Sequence, residues 1–199
     1  FSFHAPATPG APNLSAGFAG LSTNTLYGIK VRAFNEFSAC SWTTLGSTHT
    51  LAAFPAPANP LSVEIASITA SWGANTNPNG TSYLFEASSD VFTTTLSSQT
   101  QLTQALLLAS SNTLYQMRVR AANGDGLATA WVPLPSTFTR AAPPGAPLAP
   151  FSGVGMTSFT VAWLGNGNPA GTSFYLEVST EAAFSWVTKS VDWKLGTSA

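Results

Sequence analysis

Between residues 112 and 123 apolar and polar positions alternate. Tyr115, Met117, Val119 and Ala121 point to one side, and Gln116, Arg118 and Arg120 to the other. A period of two with one polar side predicts a half-buried β-strand. Residues 24–35 are a near copy, Asn24-Thr25-Leu26-Tyr27 running into Lys30-Val31-Arg32, and stand roughly 90 positions earlier, which marks the chain as a repeat array. Residues 67–72 alternate as well, with Ile68, Ala70 and Trp72 on one face, and residues 81–88 place Tyr83, Phe85 and Ala87 inward. Further strands are expected over 61–65, 92–98, 102–108 and near 131–139. Ahead of this block, strands are expected over 14–20, 27–35 and 42–50. About seven short strands separated by turns in one block read as a β-sandwich.

Two Pro/Ala-rich runs, 53–60 and 143–150, interrupt the alternation. Such runs are stiff, extended and poor in backbone donors, so they mark boundaries. Beyond the second the pattern restarts. Ser158-Phe159-Thr160-Val161-Ala162-Trp163 matches residues 67–72, Asn166-Gly167-Asn168-Pro169 opens a copy of the loop that starts at Asn75, and residues 174–179 match 83–88. The expected organisation is a partial repeat over 1–54, a complete one over 55–143 and a partial one over 144–199.

Charge changes the picture most. Only 8% of the 199 residues are charged and the net charge is -1, about a third of the usual charged share. Ser and Thr, about a quarter of the chain, replace charge with neutral polarity. No basic patch is present to neutralise phosphates, which argues against nucleic acid as a partner. No apolar run approaches a membrane-spanning helix. A single cysteine, Cys40, excludes an internal disulfide and an all-cysteine zinc site. It reads as a small loop residue, because few charges lie near enough in sequence to activate a thiol. His4 and His49 have no ligand-like spacing. The Ser/Thr/Asn-rich composition and low lysine content lean towards an extracellular or cell-surface location. The chain starts at Phe1 and shows no signal peptide, which suggests a mature or excised segment.

Taken together, the Trp72 strand, the Tyr83 strand and the Leu-x-x-Asn-Thr-Leu-Tyr turn into an alternating Val-Arg-Ala strand resemble fibronectin type III domains, as found in tandem in bacterial-type secreted or surface repeat proteins. The resemblance covers most of the chain. It implies an all-β architecture of tandem immunoglobulin-like sandwiches, one complete and two partial. It implies that Trp72 and Trp163 are core residues of strand B and that Tyr27 and Tyr115 are corner tyrosines opening strand F. The first block would then hold strands E to G and the last A to C, with C′ following. One departure is Ala109, where Leu21 stands in the first block.

No catalytic constellation is visible. Residues 55–143 hold neither histidine nor cysteine, and their carboxylates fall on strands and loops that the fold spreads apart. No cofactor or metal is expected. Glu86 is expected to pair across the sheet with Arg118 or Arg120. The loops 75–80 and 166–171 read as turns of fixed shape, in which Gly and Asn supply unusual backbone angles. Gly124-Asp125-Gly126 lacks the Arg-Gly-Asp tripeptide and is too sparse for a calcium loop. Asn13-Leu14-Ser15 and Asn79-Gly80-Thr81 match the N-glycosylation pattern. The candidate interaction residues are Trp42, Trp131, Asp125, Trp186 and Trp193. Tryptophans of this kind either pack against a neighbouring repeat or stack on sugar rings.

These readings point to a non-catalytic extracellular spacer, stalk, adhesion or surface-fibre segment. Its partners would be neighbouring repeats, identical chains, glycans or surface proteins, without membrane insertion. The alternative is an accessory carbohydrate-binding module of a secreted polysaccharide-degrading enzyme. The partial repeats allow three arrangements: a stretch of a longer array, completion between chains into a fibre, or pairing of the two partial repeats within one chain.

Overall fold

A computed structural model describes residues 14–33, 37, 40–187 and 189–195. Every regular element among them is a β-strand. The complete sandwich is built from eight: β3 (Ala56–Pro57), β4 (Ser62–Val63), β5 (Ser67–Gly73), β6 (Ser82–Ser88), β7 (Leu96–Thr100), β8 (Gln104–Leu108), β9 (Leu114–Ala122) and β10 (Val132–Phe138). One sheet runs β10-β9-β6-β7. The other centres on β5, with β3 and β4 along one side and β8 along the other. All pairings are antiparallel. This is the two-sheet sandwich that the resemblance implied, with β5 as strand B, β6 as C and β9 as F.

The alternation seen in the sequence becomes the core. Ile68, Ala70 and Trp72 from β5 meet Tyr83, Phe85 and Ala87 from β6 and Tyr115, Met117, Val119 and Ala121 from β9. Phe85 and Val119 are directly opposed across the sheet, and both are fully buried. Each such side chain contributes roughly 1.5–3 kcal/mol through its removal from water. Trp72 lies against Phe85 in a stacked pair and against Tyr83 in a tilted one. Tyr115 closes the corner before β9, where its hydroxyl accepts the backbone N–H of Ser110, and Tyr27 does the same for Ser22.

The outer blocks are smaller. β1 (Leu26–Val31) and β2 (Thr43–His49) form one two-stranded sheet. In the last block β11 (Phe151–Ser152) pairs with β12 (Thr160–Val161), and β13 (Ser173–Val178) pairs with β14 (Lys189–Leu195).

Several expected elements differ. No strand forms over 14–20. Its counterpart β8 is held by β5, and the first block has no such strand beside it among the described residues. The strand expected at 92–98 begins only at Leu96, because Asp90 closes a turn ahead of it. The Asp90 carboxylate accepts the amide and hydroxyl of Thr94 and the hydroxyl of Ser88, and Val91 and Phe92 adopt positive φ. These bonds hold Asp90 well below the ordinary carboxylate range, at about 2. The strand from Tyr27 ends at Val31; Phe34, Asn35 and Glu36 lie outside the described residues, as do His4 and Asn13. The Pro-rich runs are not only spacers. Ala56–Pro57 pairs with Trp72 and Gly73, and Gly145 bridges Leu164 at the matching place.

Candidate functional site: the junctions between repeats

Both Pro-rich runs enter the next block through the same polar clamp. At the first junction Asn77 grips one linker residue from both sides. Its Oδ1 accepts the N–H of Ala53 at 2.7 Å, and its Nδ2 donates to the carbonyl of Ala53 at 2.8 Å. At the second, Asn168 grips Ala142 in the same way, at 2.8 Å in both directions. An amide carries a donor and an acceptor side by side, so it can satisfy both polar groups of one residue. Asn75 then donates to the carbonyl of Phe54, and Asn166 to that of Pro143.

A second contact crosses each junction from the turn before the tyrosine. Asn24 Nδ2 donates to Thr81 Oγ1 at 2.9 Å, and Asn112 Nδ2 to Thr172 Oγ1 at 2.9 Å. Thr81 and Thr172 are buried, and each hydroxyl donates in turn to the proline carbonyl three residues back. Asn24 and Asn112 have φ of 43° and 45°. Asparagine tolerates this left-handed region better than other side-chain-bearing residues, and glycine would tolerate it but carry no clamp. Beside them Thr23 donates to the carbonyl of Thr76, and Ser111 to that of Gly167, at 2.8 Å each. The loops read from sequence as fixed-shape turns thus also make the contact between repeats.

The first junction carries one further set. Asp125 Oδ1 lies 2.8 Å from His49 Nδ1, and its Oδ2 accepts the His49 backbone N–H at 2.7 Å and the Thr48 hydroxyl at 3.1 Å. The backbone bond from His49, followed by the ring contact, holds the Asp125 carboxyl below its ordinary range. The imidazole lies flat over Gly124, where a Cβ would overlap the ring. Gly124 N–H donates to Asn24 Oδ1 at 2.8 Å. At the second junction the place of His49 is taken by Phe138, just ahead of Thr139 as His49 is ahead of Thr50.

The tryptophans fall elsewhere. Trp131 lies under Arg118 and Arg120, whose guanidinium carbons sit 4.4 and 4.5 Å from its ring centre. Arg118 also covers Phe92 at 4.0 Å and forms a 2.6 Å ion pair with Glu86. Trp42 lies under Lys30 and Arg32 at 4.7 and 4.6 Å. Both indoles are therefore engaged by cations of their own block. Trp186 is 76% exposed. Trp193 lies on β14, and its side chain is outside the described residues. Cys40 is a free, exposed loop thiol. Among the described residues no group of three or more His, Cys, Asp or Glu could hold a metal ion.

Sequence reasoning singled out Asp125 but missed His49, Asn24, Asn77 and their counterparts as a set. The available signal was that loop, turn and linker repeat together at one spacing.

No protein-family model matches the chain, and no curated protein matches it. Among solved structures it is similar to a segment of titin, at 23% identity over 55% of this chain with a TM-score of 0.39, and it spans 39% of that segment. It is also similar to a two-domain fibronectin type III segment of chicken tenascin, at 14% identity over 74% of this chain and 81% of that one, with a TM-score of 0.43. Domains d3–d4 of the rat CD45 extracellular region match at 18% identity over 69% of this chain and 80% of that one, with a TM-score of 0.36.

Proposed function

We propose that this chain is a non-catalytic extracellular spacer of fibronectin type III-like repeats, a stalk or fibre segment that holds its neighbours at a set distance and angle. The observation that carries this reading is the recurrence of one side-chain clamp at two junctions. A flexible string of domains has no need of an amide aimed at both polar groups of one linker residue. A repeated clamp instead converts each Pro-rich run into a joint of fixed angle. Arg118, Glu86 and Trp131, which could have formed a recognition surface, are satisfied by one another.

Carbohydrate binding is the second reading, favoured by the exposure of Trp186 alone, since an open indole face can stack on a sugar ring. Affinity electrophoresis through gels containing soluble polysaccharides separates the two. The spacer reading expects equal mobility with and without polysaccharide. Retardation that Trp186→Ala abolishes would replace it with the carbohydrate reading.

A further inference from the structure

The chain contains three Asn-Gly dipeptides, Asn79-Gly80, Asn123-Gly124 and Asn166-Gly167, and the fold treats them differently. Asn123 is buried. Its Oδ1 accepts the N–H of Asp125 and of Leu127, and its Nδ2 donates to the carbonyl of Thr50 at 3.3 Å. The N–H of Gly124 is itself held by Asn24 Oδ1. Asn166 is exposed, but its Nδ2 donates to the carbonyl of Pro143 at 2.8 Å. Asn79 and Gly80 are both exposed at the tip of their turn. Neither the Asn79 side chain nor the Gly80 N–H has a hydrogen-bond partner among the described residues. Gly80 has a φ of 86°, and a Cβ there would meet nothing within 4 Å.

We propose that Asn79 is a self-modification site, at which the chain loses a side-chain amide and the first joint loosens with age. The Gly80 backbone nitrogen attacks Asn79 Cγ. A new C–N bond forms, the Cγ–Nδ2 bond breaks, and ammonia leaves with the proton that Gly80 gives up. The product is a cyclic imide, which solvent water opens at either carbonyl. One opening gives aspartate. The other gives isoaspartate, in which the main chain runs through Cβ and Cγ of residue 79. The net change is an amide and water becoming a carboxylate and ammonium. Asparagine is among the thermolabile residues, and a following glycine, without a side chain, leaves the attack unhindered and the backbone free to rotate into it.

The site sits between two junction contacts. Asn77 grips Ala53 on one side of it, and Thr81 accepts Asn24 on the other. The N–H of Thr81 donates to the carbonyl of Pro78 at 3.2 Å, so Asn79 and Gly80 are the central residues of the turn that spaces those contacts. Isoaspartate lengthens the main chain within this turn and pulls Asn77 and Thr81 out of register with the linker. The second junction has the same turn, with Thr172 donating to Pro169 at 3.2 Å and Gly171 at a φ of 88°. There Ala170 stands in the place of Asn79, and alanine has no amide to lose. Ageing therefore acts on one joint and spares the other. This goes beyond the spacer reading, and the loss of the amide does not depend on it.

Ageing the folded 199-residue chain in mildly alkaline buffer, followed by peptide mapping with mass spectrometry and by labelling with isoaspartyl methyltransferase, tests this. Asn79 should convert at least about fivefold faster than Asn123 or Asn166, the factor for a single hydrogen bond that must first be broken. In chain unfolded by urea the three should convert at similar rates. Hydrogen exchange should show the Ala53 amide losing protection in the aged chain while the Ala142 amide keeps it. Asn79→Ala, which reproduces the residue at 170, should keep both on ageing. Asn79 converting no faster than the other two, or converting with Ala53 still as protected as in fresh chain, overturns the proposal. Loss of Ala53 protection in aged Asn79→Ala overturns it too, because the cause would then lie elsewhere. The spacer reading stands in each case.

Discussion

Asn112 carries two tasks that can be separated by substitution. Its backbone occupies the left-handed region and its Nδ2 clamps Thr172. Asn112→Gly keeps the backbone and loses the clamp, at about 1 kcal/mol. Asn112→Ala loses the clamp and also pays about 1–2 kcal/mol for its Cβ in that conformation. Urea unfolding should therefore rank the parent chain above the glycine variant and that above the alanine variant. Equal losses would mean that the backbone angle is not held. Residue by residue, the inward set Ile68, Ala70, Trp72, Tyr83, Phe85 and Ala87 was legible in the sequence, because burial on one face of a strand imposes a period of two. The Glu86–Arg118 pair was legible because neighbouring strands bring opposite charges together. His49 was not, since its partner Asp125 is 76 positions away and only the docking of two blocks joins them.

Strand cores were easier to place than their ends. The turn before β7 shows why: alternation predicted a strand from Phe92, but four bonds to the Asp90 carboxylate and the Ser88 hydroxyl outweigh it locally. Such side-chain-to-backbone bonds compete with ladders and leave little trace in a hydrophobic pattern. The same carboxylates give a pH prediction. Asp90 and Asp125 both have lowered values in the folded chain. A group depressed on folding stabilises fully above its ordinary value and loses that contribution as pH falls through the folded one. Carboxyl NMR titration should place Asp90 at about 2, with Asp125 below its ordinary 3.8. The protection of the Thr94 amide against exchange, relative to an unfolded chain at the same pH, should fall as Asp90 protonates. Both groups titrating at their ordinary values would contradict the turn and the junction as described. The missing strand at 14–20 is the converse case. Its pattern allows a strand, but a ladder also needs a partner, which no local pattern supplies.

At the scale of the whole molecule, the proposed spacer role requires each junction to hold a fixed angle. The sequence showed the Pro-rich runs and showed that the loops around them repeat. It did not show that loop and linker touch, because an Asn that sets a turn and an Asn that clamps a neighbour look alike until the backbone brings them together. The most direct measurement is the distance distribution between spin labels at Ser47 on β2 and Ser97 on β7, by pulsed electron resonance on dilute chain with Cys40→Ser as background. A fixed joint predicts one narrow distribution that broadens when Asn77→Ala frees Ala53. A distribution already broad in the parent chain, and unchanged by Asn77→Ala, would contradict the account and make the array a flexible string.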